Sequence, residues 1–268
     1  MKNILTIAGS DSCGGAGIQA DIKTFSAHGL YGMSVITAVT AQNTQGVFAV
    51  QDIDKEIIAK QIQAIYEDIE VAAVKIGMVS QIDTIKVIGK ELAKFKAKNI
   101  ILDPVMISKS GFDLLRKESK EILIKELMPI ADIVTPNIHE AQAITGLKIE
   151  NTKDMEKAAI EIYKMGPKNV LIKGGHLEED AIDVLFDGEK IELFKGRRIN
   201  TKNTHGTGCT LSSAIAANIA LGYGVKESVR KAKEYINIAI EHSLEIGKGV
   251  GPTNHFYLLY KKAGVFNE

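Results

Sequence analysis

The sequence predicts an α/β fold: a central, mostly parallel sheet flanked by helices on both faces, with a small antiparallel hairpin at its edge. Three observations predict it. Short β-rich runs alternate with stretches of helical period along nearly all of the 268-residue chain. Each β-rich run ends in polar or glycine-rich residues. Only one pair of such runs is joined by a tight turn in place of a helix. A strand, helix, strand order gives right-handed crossovers between parallel neighbours, so the sheet is expected to be covered on both sides.

In chain order the strands are "NILTIAG", "SVITAV", "AAVKIGM", "NIILDPV", "DIVTPN" and "NVLIKGG". The helical stretches between them are amphipathic. In "DKEIIAKQIQAIYEDI", Ile58, Ile62, Ile65 and Ile69 recur at helical spacing on one face. "VKESVRKAKEYINIAIEHSL" repeats this through Val225, Val229, Ala232, Ile236, Ile240 and Leu244. The exception is "DAIDVLFDGEKIELFKGRRI", where two β-rich runs flank the turn "DGEK" and predict the edge hairpin. No Pro/Ser-rich linker, low-complexity tract or repeat interrupts the chain, so one domain over 1–268 is expected.

Composition narrows the function classes. With 45% hydrophobic and 25% charged residues, the chain reads as an ordinary soluble globular protein. Its 33 basic and 33 acidic residues cancel, so no global field favours nucleic acid or a membrane surface. No apolar run approaches the roughly 18 residues of a spanning helix. A cytoplasmic protein is expected. The two cysteines, Cys13 and Cys209, are far apart and lack metal-ligand spacing, which argues against a disulfide framework or a zinc site.

Open parallel sheets bind ligands beyond the carboxyl ends of their strands. Here those ends lead into "GSDSCGGAG", "TAQNTQG", "DPVMISKSG", "TPNIHE" and "KGGH". In the first loop, Gly14, Gly15 and Gly17 permit close backbone approach to a substrate or phosphate. It lacks the spacing of both the Walker A and the dinucleotide fingerprints, and a plain strand-to-helix turn reads equally well. Asp21, one turn into the next helix, is by default a solvated residue. Gln42 offers both a donor and an acceptor, suited to a heterocycle edge, although turn glutamines usually face water.

"TPNIHEA" has two readings. Asn137 and Glu140 form a capping-box pattern in which the carboxylate satisfies backbone N–H groups. Alternatively Glu140, with Asp103 of "LDPV", orders the water shell of Mg²⁺. Lys173 in "IKGG" and Lys109 in "SKSG" are of the kind that is mostly surface charge, yet both suit phosphate oxygens, and Lys109 sits in a loop able to move as a flap. Lys233, inside the second amphipathic helix, faces water by default.

"HGTGCT", His205 to Thr210, is the most specific element. The residues Gly206 to Cys209 would aim successive N–H groups at one point, at the positive end of the following helix. An anion there needs no charged side chain. The plainer reading is a small-residue helix start packed against a neighbour.

Long blocks now match a known family: "LTIAGSDSCGGAGIQADIKTFSAHGLYGMSVITAVTAQNTQGV", "DPVMISKSG", "TPNIHEA", "LIKGGHL", "NTKNTHGTGCTLSSAIAA" and "GKGVGPTNHF". In this order they resemble the hydroxymethylpyrimidine/phosphomethylpyrimidine kinases of thiamine biosynthesis, members of the ribokinase-like superfamily. The resemblance implies ATP-dependent phosphorylation of 4-amino-5-hydroxymethyl-2-methylpyrimidine, then of its monophosphate. It implies that Gln42 reads the aminopyrimidine in a pocket formed with Gly9 and Asp21. Asp103 and Glu140 would organise Mg²⁺, and Lys173, Lys233 and Thr207 would lie at ATP. Lys109 would cover the substrate, and Gly206, Gly208 and Cys209 would form the anion hole, with Cys209 as the base. The family also suggests a homodimer.

One departure is Cys13, where the family pattern leads us to expect serine. Sugar kinases of the superfamily end the matching anion loop in aspartate, and here that position is Cys209. A free thiol has a pKa of about 8.5 and a helix N-terminus favours the thiolate. Two other functions compete: pyridoxal kinase, whose relatives tend to carry an apolar residue in place of Gln42, and a non-catalytic nucleotide-binding regulator, against which the retained Cys209, Asp103, Glu140 and lysines argue.

Overall fold

The computed structural model describes residues 1–106, 117–175 and 181–265. The chain begins with β1 (Asn3–Asp11), α1 (Gly17–Ala27), β2 (Tyr31–Asn43), β3 (Gly46–Asp52), α2 (Lys55–Tyr66) and β4 (Ala73–Ile76). It continues through α3 (Ile82–Lys94), β5 (Ile100–Leu102), α4 (Lys117–Glu126), β6 (Ile133–Val134), α5 (Ile138–Thr145), α6 (Thr152–Tyr163) and β7 (Val170–Ile172). The hairpin β8 (Ala181–Phe186) and β9 (Ile191–Gly196) follows, then α7 (Thr207–Leu221), α8 (Val225–Glu241) and α9 (Tyr257–Lys262).

Among the described residues the strands form one sheet in the order β3-β2-β1-β4-β5-β6-β7-β8-β9. From β2 to β7 all neighbours are parallel, and β8 and β9 add the expected antiparallel edge. The opposite edge departs from expectation, because β3 also pairs antiparallel with β2. Its segment "GVFAVQD" has no fully buried residue, so no clean buried/exposed alternation marks it as a strand.

Period-two alternation along the central strands feeds two cores. On β1, Leu5 and Ile7 meet Ile58 and Ile62 of α2 and Ile85 of α3 on one face. Ile4 joins Phe25 of α1, Ile215 of α7 and Val229 of α8 on the other. Each such side chain contributes roughly 1.5–3 kcal/mol when fully buried. The predicted stripe is graded: Ile58 and Ile62 are buried, while Ile65, and Ile69 beyond the end of α2 at Tyr66, pack at the margin of the cluster.

α7 is apolar nearly all round because it is buried nearly all round. α8 buries only Ser228, Val229, Ala232, Lys233, Ile236 and Ala239. It stops at Glu241, short of Leu244, whose N–H is drawn away to the Pro252 carbonyl at 2.9 Å. No described helix is long and apolar enough to cross a membrane.

Candidate active site

The parallel strands deliver their following loops to one end of the sheet, where they line a cavity of about 420 Å³. Gly9 of β1, Gln42 of β2, Asp103 after β5, Glu140 of α5 and Lys173 after β7 all face it. So does the start of α7, from Gly206 through Thr207 and Gly208 to Cys209. The fold thus brings these expected residues together.

α7 begins with Gly206 at φ +78°, a conformation that favours glycine. Space demands glycine as well, since a Cβ there would lie 1.7 Å from the carbonyl oxygen of Gly15. The Thr207 N–H is already bonded to the Thr204 carbonyl at 3.3 Å, so not every amide of the loop is available as expected. Those of Gly206, Gly208 and Cys209 meet no acceptor among the described residues. Beside a helix N-terminus, such donors form a place for an anion.

The carboxylates form a graded set. One oxygen of Asp103 accepts from Lys173 Nζ at 2.8 Å and from Thr135 at 3.3 Å, and the other accepts from Ser212 at 3.2 Å. Burial works against its charge, but Lys173, Lys75 and these hydrogen bonds outweigh burial and hold Asp103 below the ordinary carboxylate range. Glu140 is the second half of a complete capping box: its Oε2 accepts the Asn137 N–H at 2.8 Å, and Asn137 Oδ1 accepts the Glu140 N–H at 2.9 Å. The capping reading holds, and the same Glu140 also lines the cleft. Burial pushes Glu140 up to about 7, with Asp103 adding to the rise and Lys173 opposing it.

Cys209 departs from the helix-terminus argument. Burial pushes its thiol up to about 11 despite Lys75, with Asp21 and Asp103 adding to the rise and the Gly17 N–H opposing it. The thiol is therefore protonated at neutral pH.

Gln42 sits at an irregularity in the β2–β3 register, the kind of feature that re-aims a side chain. Ser12 pins its backbone, accepting its N–H at 2.8 Å and donating to its carbonyl at 2.6 Å. The amide nitrogen lies 3.3 Å from His205 Nε2, and that nitrogen lies 2.8 Å from Asp11 Oδ2. Asp11 also accepts the N–H groups of Cys13, Gly15 and Ala16. Burial opposes its charge, but the His205 contact and these donors together bring Asp11 down to about 2. Sequence reasoning missed both Asp11 and His205. The only local signal is an Asp opening a glycine-rich turn, because its partner is 194 residues away.

Residues 11–254 match the family model described as phosphomethylpyrimidine kinase. The chain belongs to the phosphomethylpyrimidine kinase family. It is 51% identical over 261 residues to a hydroxymethylpyrimidine/phosphomethylpyrimidine kinase of Rhizobium meliloti, covering 96% of this chain and 98% of the relative. A solved phosphomethylpyrimidine kinase from Clostridium difficile is 55% identical with a TM-score of 0.81, over 90% of this chain and all of that one. A Bacillus subtilis pyridoxal kinase, solved as an ADP complex, is 40% identical with a TM-score of 0.89, over 97% and 99% of the two chains. The fold is therefore shared by proteins named for two different activities.

Two family expectations fall elsewhere. Asp21 does not line the cleft and is not solvated: it is fully buried, accepting from Lys75 Nζ at 2.9 and 3.0 Å, Thr6 at 2.6 Å and Ser213 at 2.6 Å. Lys233 neither faces water nor reaches the cleft. It donates to Asp183 at 2.7 Å and to the carbonyls of Ala181 and Phe194 at 2.9 and 2.6 Å, which ties α8 to the edge hairpin. Three partners satisfy the three ammonium protons. Lys109 lies outside the described residues.

Proposed function

We propose that this protein uses ATP to phosphorylate the primary hydroxyl of 4-amino-5-hydroxymethyl-2-methylpyrimidine and then the resulting monophosphate, as a cytoplasmic step of thiamine biosynthesis. One observation carries the reading. Gln42, a fixed amide with both a donor and an acceptor, shares one cavity with the open N–H groups at the start of α7. The amide suits an aminopyrimidine edge, and the helix start suits a phosphoryl group in transfer.

Phosphoryl transfer depends on positioning and charge stabilisation more than on covalent help from the protein. In this reading Lys173 and the amides of Gly206, Gly208 and Cys209 hold phosphoryl oxygens, and Thr207 lies beside the nucleotide. Cys209 takes the hydroxyl proton, which only its thiolate form can do. Lys109 screens the phosphate of the second substrate, and Lys109→Ala should slow the second phosphorylation more than the first. Equal slowing of both would remove that role.

The oxygens of Asp103 and Glu140 already accept hydrogen bonds, so they offer a cation charge more than empty coordination positions. That donor set fits Mg²⁺ held through its water shell. When bound, the ion neutralises charge on the phosphates, and Asp103 and Glu140 would hold its waters. A homodimer belongs to the same reading: the β3 edge leaves Phe48 exposed as one available apolar contact.

The test is a coupled ADP-release assay with the hydroxymethylpyrimidine and pyridoxal side by side, with products resolved as mono- and diphosphate. Turnover on the pyrimidine through to the diphosphate is expected. Turnover on pyridoxal alone would establish the competing assignment, and no ADP release with either substrate would leave only a nucleotide-binding role.

A further inference from the structure

Cys13, Asp11 and His205 have no part in the phosphoryl transfer proposed above, yet three ligand atoms of different chemistry converge there. Cys13 Sγ lies 3.5 Å from Asp11 Oδ2 and 3.6 Å from His205 Nε2, and those two atoms lie 2.8 Å apart. With bonds of about 2.3 Å to sulfur and about 2.0–2.1 Å to nitrogen and oxygen, a tetrahedral zinc ion would space its ligands about 3.6 Å across the sulfur edges and about 3.3 Å across the N–O edge. Both sulfur edges match as they stand. The remaining edge is the hydrogen-bonded one, which opens when an ion replaces the proton.

We propose that Asp11, Cys13 and His205 form a binding site for one zinc-class divalent ion, with its fourth position facing the cleft. A thiolate, an imidazole and a carboxylate are the donor types such ions select. The site is built from two places in the chain, the loop after β1 and the loop before α7, so no spacing rule could reveal it. Its parts are held in place. Asp11 is anchored by the N–H groups of Cys13, Gly15 and Ala16, at 2.7–3.0 Å. The His205 ring packs on the loop backbone so closely that a Cβ on Gly15 would meet its Cδ2 at 2.3 Å.

Asp11 and His205 line the cavity, which leaves the fourth position open on that side. On binding, the Cys13 thiol gives its proton to solvent. The proton between His205 Nε2 and Asp11 Oδ2 moves through solvent to Nδ1, which frees the Nε2 lone pair for the ion. Gln42 is 3.3 Å from His205 Nε2, so a bound ion crowds the amide assigned above to the pyrimidine. Occupancy should therefore compete with substrate. That competition rests on the Gln42 assignment, whereas ion binding does not. The property belongs to the departure at Cys13, since the expected serine would supply no thiolate.

The experiment is a Co²⁺ titration of the reduced full-length chain in a non-chelating buffer, read by thiolate-to-cobalt charge-transfer absorption, followed by Zn²⁺ displacement. One equivalent with a thiolate band is expected for the wild type. Cys13→Ser, a substitution of similar size, should lose the band and weaken Zn²⁺ binding about ten-fold or more. Cys209→Ser should retain both. Absence of the band in the wild type, its persistence in Cys13→Ser, or its loss in Cys209→Ser would overturn the site. In the kinase assay, Cys13→Ser should turn over like wild type and resist zinc inhibition. If the chain proves to act on another substrate, the cobalt band still stands or falls on its own.

Discussion

Two lysine–aspartate pairs, almost equal in length, lie near the same sheet and behave differently. Lys75 of β4 meets Asp21 of α1 at 2.9 Å with both side chains fully buried. Lys173 meets Asp103 at 2.8 Å, but the lysine keeps 14% of its side-chain surface exposed. The sealed pair is electrically balanced, and Thr6 and Ser213 complete the carboxylate's hydrogen bonds. The open pair has Glu140 beside it, one carboxylate more than the lysine can neutralise, and burial, with Asp103 adding to it, lifts Glu140 to about 7. Balanced buried charge serves the scaffold. Unbalanced charge facing a cavity marks a place for a cation or a proton.

The largest expected effect breaks the sealed pair. Asp21→Asn leaves the Lys75 ammonium buried without a counter-charge and should cost about 3–5 kcal/mol of stability in urea denaturation. Replacing both members, Asp21→Leu with Lys75→Met, should recover most of the loss. Asp103→Asn should cost less stability, because Glu140 remains to face Lys173. An equal loss at both sites would erase the distinction.

Next comes Cys209→Ala, expected to lower kcat by about 10²–10⁴-fold while KM for both substrates changes little. Burial keeps this thiol protonated at neutral pH, so wild-type kcat should climb with pH toward about 11 and the variant's should not. Equal turnover of variant and wild type would end the base assignment.

A smaller effect concerns the excess carboxylate. Glu140 binds its proton more tightly in the folded chain, at about 7, than at its ordinary value of 4.5. Its stabilising contribution is therefore complete below pH 4.5 and is lost as pH rises through 7. Thermal melts without divalent ions should show wild type losing on the order of 3 kcal/mol relative to Glu140→Gln across that window. A flat difference would show the charge to be balanced after all. The smallest effect is at the surface: Lys55 and Asp83 also pair at 2.8 Å, but both are exposed, and Asp83→Ala should leave the melting temperature unchanged.

The sequence made legible what is local. The strands with buried runs, the "DGEK" hairpin, the capping box at Asn137 and the glycine loop at Gly206 each carry their signal within a few residues. Gln42, Asp103, Glu140 and Lys173 were legible because the ends of parallel strands must converge. What escaped was pairing across the fold. Asp21 with Lys75, Asp183 with Lys233, and Asp11 with His205 are separated by 54, 50 and 194 residues. Nothing in the spacing of a helical lysine such as Lys233 says that an aspartate waits beneath it. β3 escaped for another reason: it lies on an edge and its residues stay partly wet, so the alternation that identifies a strand is missing.

The contact between Gly15 and Gly206 also bears on how the protein is made. The loop after the first strand is made before its partner, and lacks it until residue 206 has been synthesised. At roughly 5–20 residues per second, that is a wait of about 10–40 s. During that interval the nascent chain holds half of a cleft, with the carboxylate of Asp11 and the thiol of Cys13 uncovered. A holdase binding the chain at that stage would meet a loop whose neighbour, the start of α7, has yet to be made.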